Sequence, residues 1–130
     1  MAPSPPSPPR LGAALLWTAV LVGACAVPRR TLRAFDWPIA QPFWPFVEPV
    51  AHVLLFAVSA ALWLRAFPRH RTHVFVGGLL LSLLTEAAQT FPGIGRGAEA
   101  MDVVLDVVGI TLGMLAAGAF RSGRISGQPG

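Results

Sequence analysis

The chain has 130 residues, of which 54% are hydrophobic and only 12% are charged, whereas soluble domains contain about 45–50% apolar and about 25% charged residues. The formal net charge is +4, but the basic residues are all arginines scattered between apolar blocks, so no basic stripe follows the phosphates of a nucleic acid. These values exclude an ordinary soluble domain, argue against a nucleic-acid partner, and favour a single small membrane domain.

The charges are missing from four blocks. Asp, Glu and Arg are absent from Leu11–Val27, Pro49–Leu64, Val74–Thr85 and Val107–Phe120. The pattern predicts an all-α integral membrane protein in which four transmembrane helices, at about 11–27, 49–66, 73–91 and 102–120, form an antiparallel bundle with the N- and C-termini in the cytoplasm. This transmembrane domain at 11–120 lies between a disordered, proline-rich tail at 1–10 and a short cytoplasmic tail at 121–130.

The first predicted helix has two interpretations. At about 1.5 Å per residue, Leu11–Val27 is roughly 26 Å long, close to the roughly 30 Å of a hydrocarbon core, so it can cross with little tilt. An arginine, an apolar run and then Ala24-Cys25-Ala26 are also typical of a cleaved signal peptide or a lipoprotein signal. Cys25 is the single cysteine, so it forms no intrachain disulfide.

A proline- and aromatic-rich segment follows, from Pro28 to Val47. Its prolines interrupt a helix and its rings favour the headgroup region, so we expect a loop on the membrane surface that gives way to the second helix at about Pro49. Trp17 and Trp63 are expected to face lipid or the membrane interface. The segment from Arg65 to His73 is expected to be a solvated loop that attracts anionic lipid.

The third and fourth helices reach the required length only through acidic residues. Their uncharged blocks measure about 18 Å and about 21 Å as helix, short of roughly 30 Å. The third helix must therefore continue past Glu86 and Gln89, and the fourth must begin near Asp102, with Asp106 one turn further in.

The arginines predict the orientation. With the N-terminus inside, six arginines lie on the cytoplasmic side and four outside, which favours N-in and C-in. Arg10, Arg65, Arg69, Arg71, Arg121 and Arg124 are then inside, and Arg29, Arg30, Arg33 and Arg96 outside. All six acidic residues fall on the outer side.

Drawn as antiparallel helices, the chain places one imidazole and three carboxylates at the same depth near the outer end. The predicted site consists of His52, Glu86, Gln89, Arg96, Asp102 and Asp106. Placing a charged side chain at the centre of a membrane helix costs about 2.5–3.5 kcal/mol of insertion free energy, so such groups occur mainly where another group pairs with them. The cluster is therefore either a structural network that sets helix register or a binding or reaction site. Gly109 and Gly113 allow a neighbouring helix to approach closely.

These residues resemble a known family. Glu86-Ala-Ala-Gln89, followed by a loop Arg96 and then by Asp102, Asp106, Gly109 and Gly113, resembles the pattern of the VanZ-like family of small bacterial membrane proteins. That pattern is Glu-x-x-Gln, a loop arginine, and Asp-x-x-x-Asn-x-x-Gly-x-x-x-Gly. Asp106 stands where the pattern has Asn. Ahead of His52 this chain has Glu48 and Pro49 in place of the family's Asp-Lys.

The resemblance implies a multi-pass protein of the bacterial cytoplasmic membrane with a role at the cell envelope, since the founding member is associated with resistance to the glycopeptide teicoplanin. The first hypothesis is a non-enzymatic protein that binds or reorganises a lipid-linked cell-wall precursor or a glycopeptide through the outer polar site. Membrane lipids are expected partners, and no cofactor or metal is predicted.

Two other functions stay open. One is an intramembrane hydrolase or transferase acting on lipid head groups, with His52 as acid or base and the carboxylates holding a cation. No zinc-protease, nucleophile-elbow or phosphate-loop motif supports it, so a binding protein is favoured over an enzyme. The other is a transporter subunit, which would require oligomerisation because four short helices enclose little space. The sequence does not determine the oligomeric state.

Overall fold

A computed structural model describes residues 5–28, 31, 41–94 and 99–125. Over these ranges the protein has four α-helices, a short 3₁₀ helix at Gln41–Phe43 and no strand, so the all-α prediction is confirmed. We number the helices α1 (Pro8–Cys25), α2 (Trp44–Ala66), α3 (Arg71–Gln89) and α4 (Ala100–Ile125). Arg96, the first residues of the predicted tail at 1–4, the middle of the aromatic loop at 32–40 and the last five residues lie outside the described residues.

The helix ends differ from the predicted ones mainly at prolines. α1 starts at Pro8, three residues before the predicted start, and α2 starts at Trp44, five residues early, with Pro49 inside the helix. Proline is tolerated in the first turn, as at Pro8 and Pro45, because the backbone N–H groups there have no helical partner. Pro49 lies in the second turn of α2, where its missing N–H removes one hydrogen bond of the helix. α4 continues to Ile125, through the first half of the predicted C-terminal tail.

Three of the described helices are long and apolar enough to cross a membrane: Pro8–Cys25, Pro45–Ala66 and Ala100–Ala119. α3 is not among them, because His73 near its start and Glu86 and Gln89 near its end lower its apolar character. The crossing by α3 and the N-in, C-in orientation therefore remain predictions. Many large apolar side chains are exposed, among them Leu16 at 69% and Leu84 at 67%, as expected for surfaces that face lipid.

The most extensive contact is between α2 and α4. Gly109 and Gly113, one turn apart on α4, face the backbone of α2, and a Cβ atom at either position would collide with the carbonyl oxygen of Val53 or Ala57. The two backbones thus approach more closely than any other residue type permits. This contact places the side chains on the same face of α4, including Asp106, directly against α2.

α1 packs against α2 and is held by two tryptophans. The indole N–H of Trp17 donates to the Leu55 carbonyl, and that of Trp63 donates to Thr18 Oγ1, each at 3.0 Å. Both rings are half-buried, so each takes part in a helix contact, and the expectation that they also face lipid or the membrane interface stays a prediction. The core below them contains Leu21, Cys25, Phe56, Ala60 and Ile110.

In the part of the chain that the structure describes, acidic and basic residues lie at opposite ends of the helices. The start of α2, the end of α3 and the start of α4 meet at one end, which carries Glu86, Glu99, Asp102 and Asp106 and which we call the acidic end. The end of α2 and the start of α3 meet at the other, the basic end, which carries Arg65, Arg69 and Arg71. The candidate site and the arginine-rich connection are thus separated by the length of the helices.

Candidate functional site

Asp106 lies at the centre of the polar cluster and is 1% exposed. One carboxylate oxygen, Oδ1, is 2.9 Å from His52 Nδ1 on α2, and the other, Oδ2, accepts a hydrogen bond of 2.7 Å from Ser82 Oγ on α3. An ionised carboxylate can only accept hydrogen bonds, so with Asp106 ionised the proton of this contact is on Nδ1 of His52. Asp106 therefore joins three helices through both of its oxygens.

His52 also links Asp106 to Asp102, one turn nearer the start of α4. Its second ring nitrogen, Nε2, is 3.6 Å from Asp102 Oδ2. The side chain of Asp102 is 13% exposed, compared with 1% for Asp106. The imidazole thus connects a fully buried carboxylate with one that reaches solvent or headgroups, and the deep contact fixes the ring orientation.

Glu86 joins the end of α3 to the start of α4, since its Oε1 accepts a hydrogen bond from the backbone N–H of Glu99. Gln89 lies one turn further along α3 and is 1% exposed. Its side-chain Nε2 is buried and has no hydrogen-bond partner among the described residues. A buried amide N–H group without a partner is costly and rare in folded proteins, so it marks a position where an acceptor is missing.

Most of the predicted site residues are brought together. His52, Asp102 and Asp106 are in contact, and Ser82, Glu86 and Gln89 follow one another at four- and three-residue steps along one buried stripe of α3. Arg96 lies outside the described residues, so its position relative to the cluster stays a prediction.

Ser82 contacts the cluster although the sequence does not single it out as a site residue. Its spacing of four residues before Glu86 places it on the same helical face, and this was the available signal. Thr85 is also buried, but its hydroxyl donates to the Ser82 carbonyl within α3. The hydroxyl proton of Thr85 is therefore used within α3 and is not donated to the cluster.

The cluster is rich in acceptors. Within residues 41–94 and 99–125 it holds three carboxylates, and the groups that contact them include one imidazole, one hydroxyl and one backbone N–H. Such a set suits a ligand group that donates hydrogen bonds, while the Gln89 amide N–H suits an acceptor. Among the described residues no group of three or more His, Cys, Asp or Glu side chains is placed to hold a metal ion.

The fold and this cluster define a class: an all-helical membrane protein with an acidic polar site buried between its helices near one end. Within that class the chain belongs to the VanZ/LLP1 family, whose model matches residues 13–121. The resemblance drawn from the motifs on α3 and α4 is thereby confirmed, and with it a VanZ-like role at the cell envelope. Comparison with curated proteins and with solved structures finds no match.

Proposed function

We propose that the buried cluster binds the amide-bearing head of a lipid-linked cell-wall precursor or of a glycopeptide antibiotic at the outer leaflet of the bacterial cytoplasmic membrane. The observation that carries the proposal is Gln89 Nε2, a fully buried donor without a partner among the described residues. It lies on the same helical stripe as Glu86, whose carboxylate accepts hydrogen bonds. An amide group of a ligand supplies both complements, a carbonyl for Gln89 and an N–H for a carboxylate.

The gradient of burial supports entry from the acidic end. Asp102 is the more exposed carboxylate and Asp106 the more buried, so a ligand head meets Asp102 and Glu86 first, while Asp106 holds the helices together. In a dry site each hydrogen bond to a carboxylate is stronger than in water. The exposed apolar faces of α2 and α4 leave the lipid part of the ligand in the bilayer.

Binding of two ligands to the purified full-length protein tests this proposal. A lipid-linked disaccharide-pentapeptide and a teicoplanin-type lipoglycopeptide are titrated separately in nanodiscs, and bound ligand is read by native mass spectrometry. We expect Gln89→Leu and the pair Glu86→Gln with Asp102→Asn each to weaken binding of at least one ligand by about tenfold or more, since each removes buried hydrogen bonds.

Thr90→Val is the matched control for Gln89→Leu. Thr90 directly follows α3, is exposed, and its hydroxyl donates to the Ala87 carbonyl in the last turn of that helix, so this variant should bind like the native chain. If neither ligand binds, or if all variants bind equally, the cluster is a structural network and the proposed function is wrong.

A second candidate, head-group hydrolysis or transfer, is favoured by one observation. A buried carboxylate holds His52 through Nδ1, which is how a histidine is oriented for proton transfer at its other nitrogen. The test is to incubate the protein with phospholipid vesicles and follow released head groups by phosphorus NMR. Turnover that His52→Gln abolishes and Thr111→Val retains would support an enzyme, and no turnover with any common head group would contradict it.

A further inference from the structure

A cavity of about 550 Å³ lies between the helices and opens toward the basic end; its inner end is one helical turn from the candidate site, whose side chains do not line it. Its walls are mainly apolar and come from all four helices, with Phe56, Ile110 and Leu81 at its inner part and Phe67, His70 and His73 near the connection between α2 and α3. This volume is within the range of about 300–1,000 Å³ typical of ligand pockets.

One wall is a series of four rings that leads outward. Trp63 stacks on Phe67 at 5.9 Å between centroids, Phe67 meets His70 edge-on at 6.0 Å, and His70 meets His73 at 5.5 Å. All four rings line the cavity. The wall therefore changes from purely hydrophobic rings inside to two exposed imidazoles at the mouth, which matches a ligand with an apolar tail and a polar head.

The depth of the cavity matches one leaflet of a membrane. Its lining on α2 extends from Phe56 to Phe67, a distance of about 16 Å along the helix axis, or roughly half of a hydrocarbon core of about 30 Å. A chain that enters at His70 and His73 and ends at Phe56 would thus reach about the bilayer centre, as one acyl chain of a phospholipid does.

The mouth is complementary to an anion. Arg69 and Arg71 flank His70, and no acidic residue occurs between Arg65 and His73. α3 begins at this point, its first turn contains no acidic residue, and no side chain caps it. The N–H groups of its first turn therefore add to the positive potential that a phosphate prefers.

We propose that this cavity binds one acyl chain of an anionic phospholipid, whose phosphate lies against His70, His73 and the first turn of α3. The cavity is separate from the polar cluster of His52, Asp102 and Asp106, so this site does not depend on the proposed function. Basic side chains near the surface of an anionic membrane each add to such binding, and the imidazole N–H groups add direct hydrogen bonds to the phosphate.

Quenching of Trp63 fluorescence by brominated lipids tests the proposal. The full-length protein with Trp17, Trp37 and Trp44 changed to Phe is placed in vesicles that contain increasing fractions of either bromine-labelled phosphatidylglycerol or bromine-labelled phosphatidylcholine. We expect phosphatidylglycerol to quench Trp63 at roughly fivefold lower concentration, because the positive mouth favours the anionic head.

Gly77→Leu blocks the site, and Gly12→Leu is its control. A Cβ atom at either glycine meets no described atom within 4 Å, but only Gly77 lines the cavity. Gly77→Leu should remove the preference for phosphatidylglycerol and lower quenching by both lipids, whereas Gly12→Leu should behave like its parent.

The pair His70→Ala with His73→Ala provides a second variant at exposed positions in case Gly77→Leu does not fold. This pair should remove the preference for phosphatidylglycerol while quenching by the acyl chains persists. Equal quenching of the parent protein by the two lipids would overturn the proposal. The proposal would also be overturned if the Gly77→Leu protein kept native helicity and was quenched as strongly as the Gly12→Leu protein.

Discussion

Asp106 is a carboxylate that side chains from two other helices hold in the interior of the protein. An unpaired carboxylate at such a depth would cost several kcal/mol. Ser82 Oγ and His52 Nδ1 offset this cost because each supplies a donor to a separate oxygen of Asp106. The residue thus serves the register of α2, α3 and α4 whatever the acidic end binds.

Two substitutions of Asp106, to Ala and to Asn, separate the effect of its hydrogen bonds on stability from the effect of its charge. Asp106→Ala leaves the Ser82 hydroxyl and the His52 ring without their shared acceptor, so we expect the free energy of unfolding to fall by roughly 3 kcal/mol. Asp106→Asn keeps an acceptor for His52, and its amide donates to a rotated Ser82 hydroxyl, so its cost should stay below about 1 kcal/mol. Unfolding in mixed micelles with increasing denaturing detergent measures both.

Thr111→Val is the reference for these two variants. Thr111 is an exposed residue on the same helix and its hydroxyl donates to the Val107 carbonyl, so its replacement should change stability by no more than about 0.5 kcal/mol. Equal losses for Asp106→Ala and Asp106→Asn would show that the charge itself, and not the hydrogen-bond geometry, stabilises the cluster.

The residues of the cluster were largely predictable, because apolar helices make an ionisable side chain conspicuous. His52, Asp102 and Asp106 follow from depth and helical face alone. Ser82 did not, since a serine in a membrane helix can satisfy its hydroxyl on its own backbone and carries no charge that demands a partner. Which oxygen meets which donor depends on how the helices pack, and no local pattern encodes that.

At the scale of the helices, the close contact between α2 and α4 rests on two glycines. A methyl group at Gly113 would collide with the Ala57 carbonyl, which is backbone and cannot rotate away. We expect Gly113→Ala to lower stability by about 1–3 kcal/mol, as overpacking does, despite the better helix propensity of alanine. Mixed-micelle unfolding gives the value.

Gly118→Ala provides the comparison on the same helix. A Cβ atom there meets the Arg71 guanidinium at an ordinary 3.5 Å, so only the gain in helix propensity remains and stability should stay equal or rise slightly. If Gly113→Ala is as stable as Gly118→Ala, the close approach of α2 and α4 is not what holds this face together.

The ends of the helices were less predictable than their existence. A proline reads as an interruption in the sequence, yet Pro8, Pro45 and Pro49 all lie within helices, since a first turn needs no N–H and a long apolar segment gains from continuing. The hydrogen bonds of the two tryptophans were not predictable either. Trp17 and Trp63 have the composition of interfacial anchors, but a carbonyl and a hydroxyl on the neighbouring helix accept their indole N–H groups.

At the scale of the whole molecule, the separation of charge gives the two ends different chemistry. The acidic end suits ligand groups that donate hydrogen bonds, and the basic end suits a lipid phosphate. The positive-inside rule predicts that the basic end faces the cytoplasm and the acidic end the exterior. Both proposals therefore expect the two ends to lie on opposite sides of the membrane. This arrangement requires α3 to cross the membrane, although α3 is the least apolar of the four helices.

Labelling of introduced cysteines tests that expectation. In a Cys25→Ala background, Thr72→Cys at the start of α3 and Ala100→Cys at the start of α4 are both exposed positions. With a membrane-impermeant maleimide, intact cells should label only Ala100→Cys, and Thr72→Cys should react after the membrane is broken, because the arginines keep its end in the cytoplasm. The reverse pattern would place the acidic cluster in the cytoplasm and remove the outer leaflet from the proposed function. Equal labelling of both positions in intact cells would show that α3 does not cross, and this result would contradict the packing of α3 along α4 that the Ser82–Asp106 hydrogen bond requires.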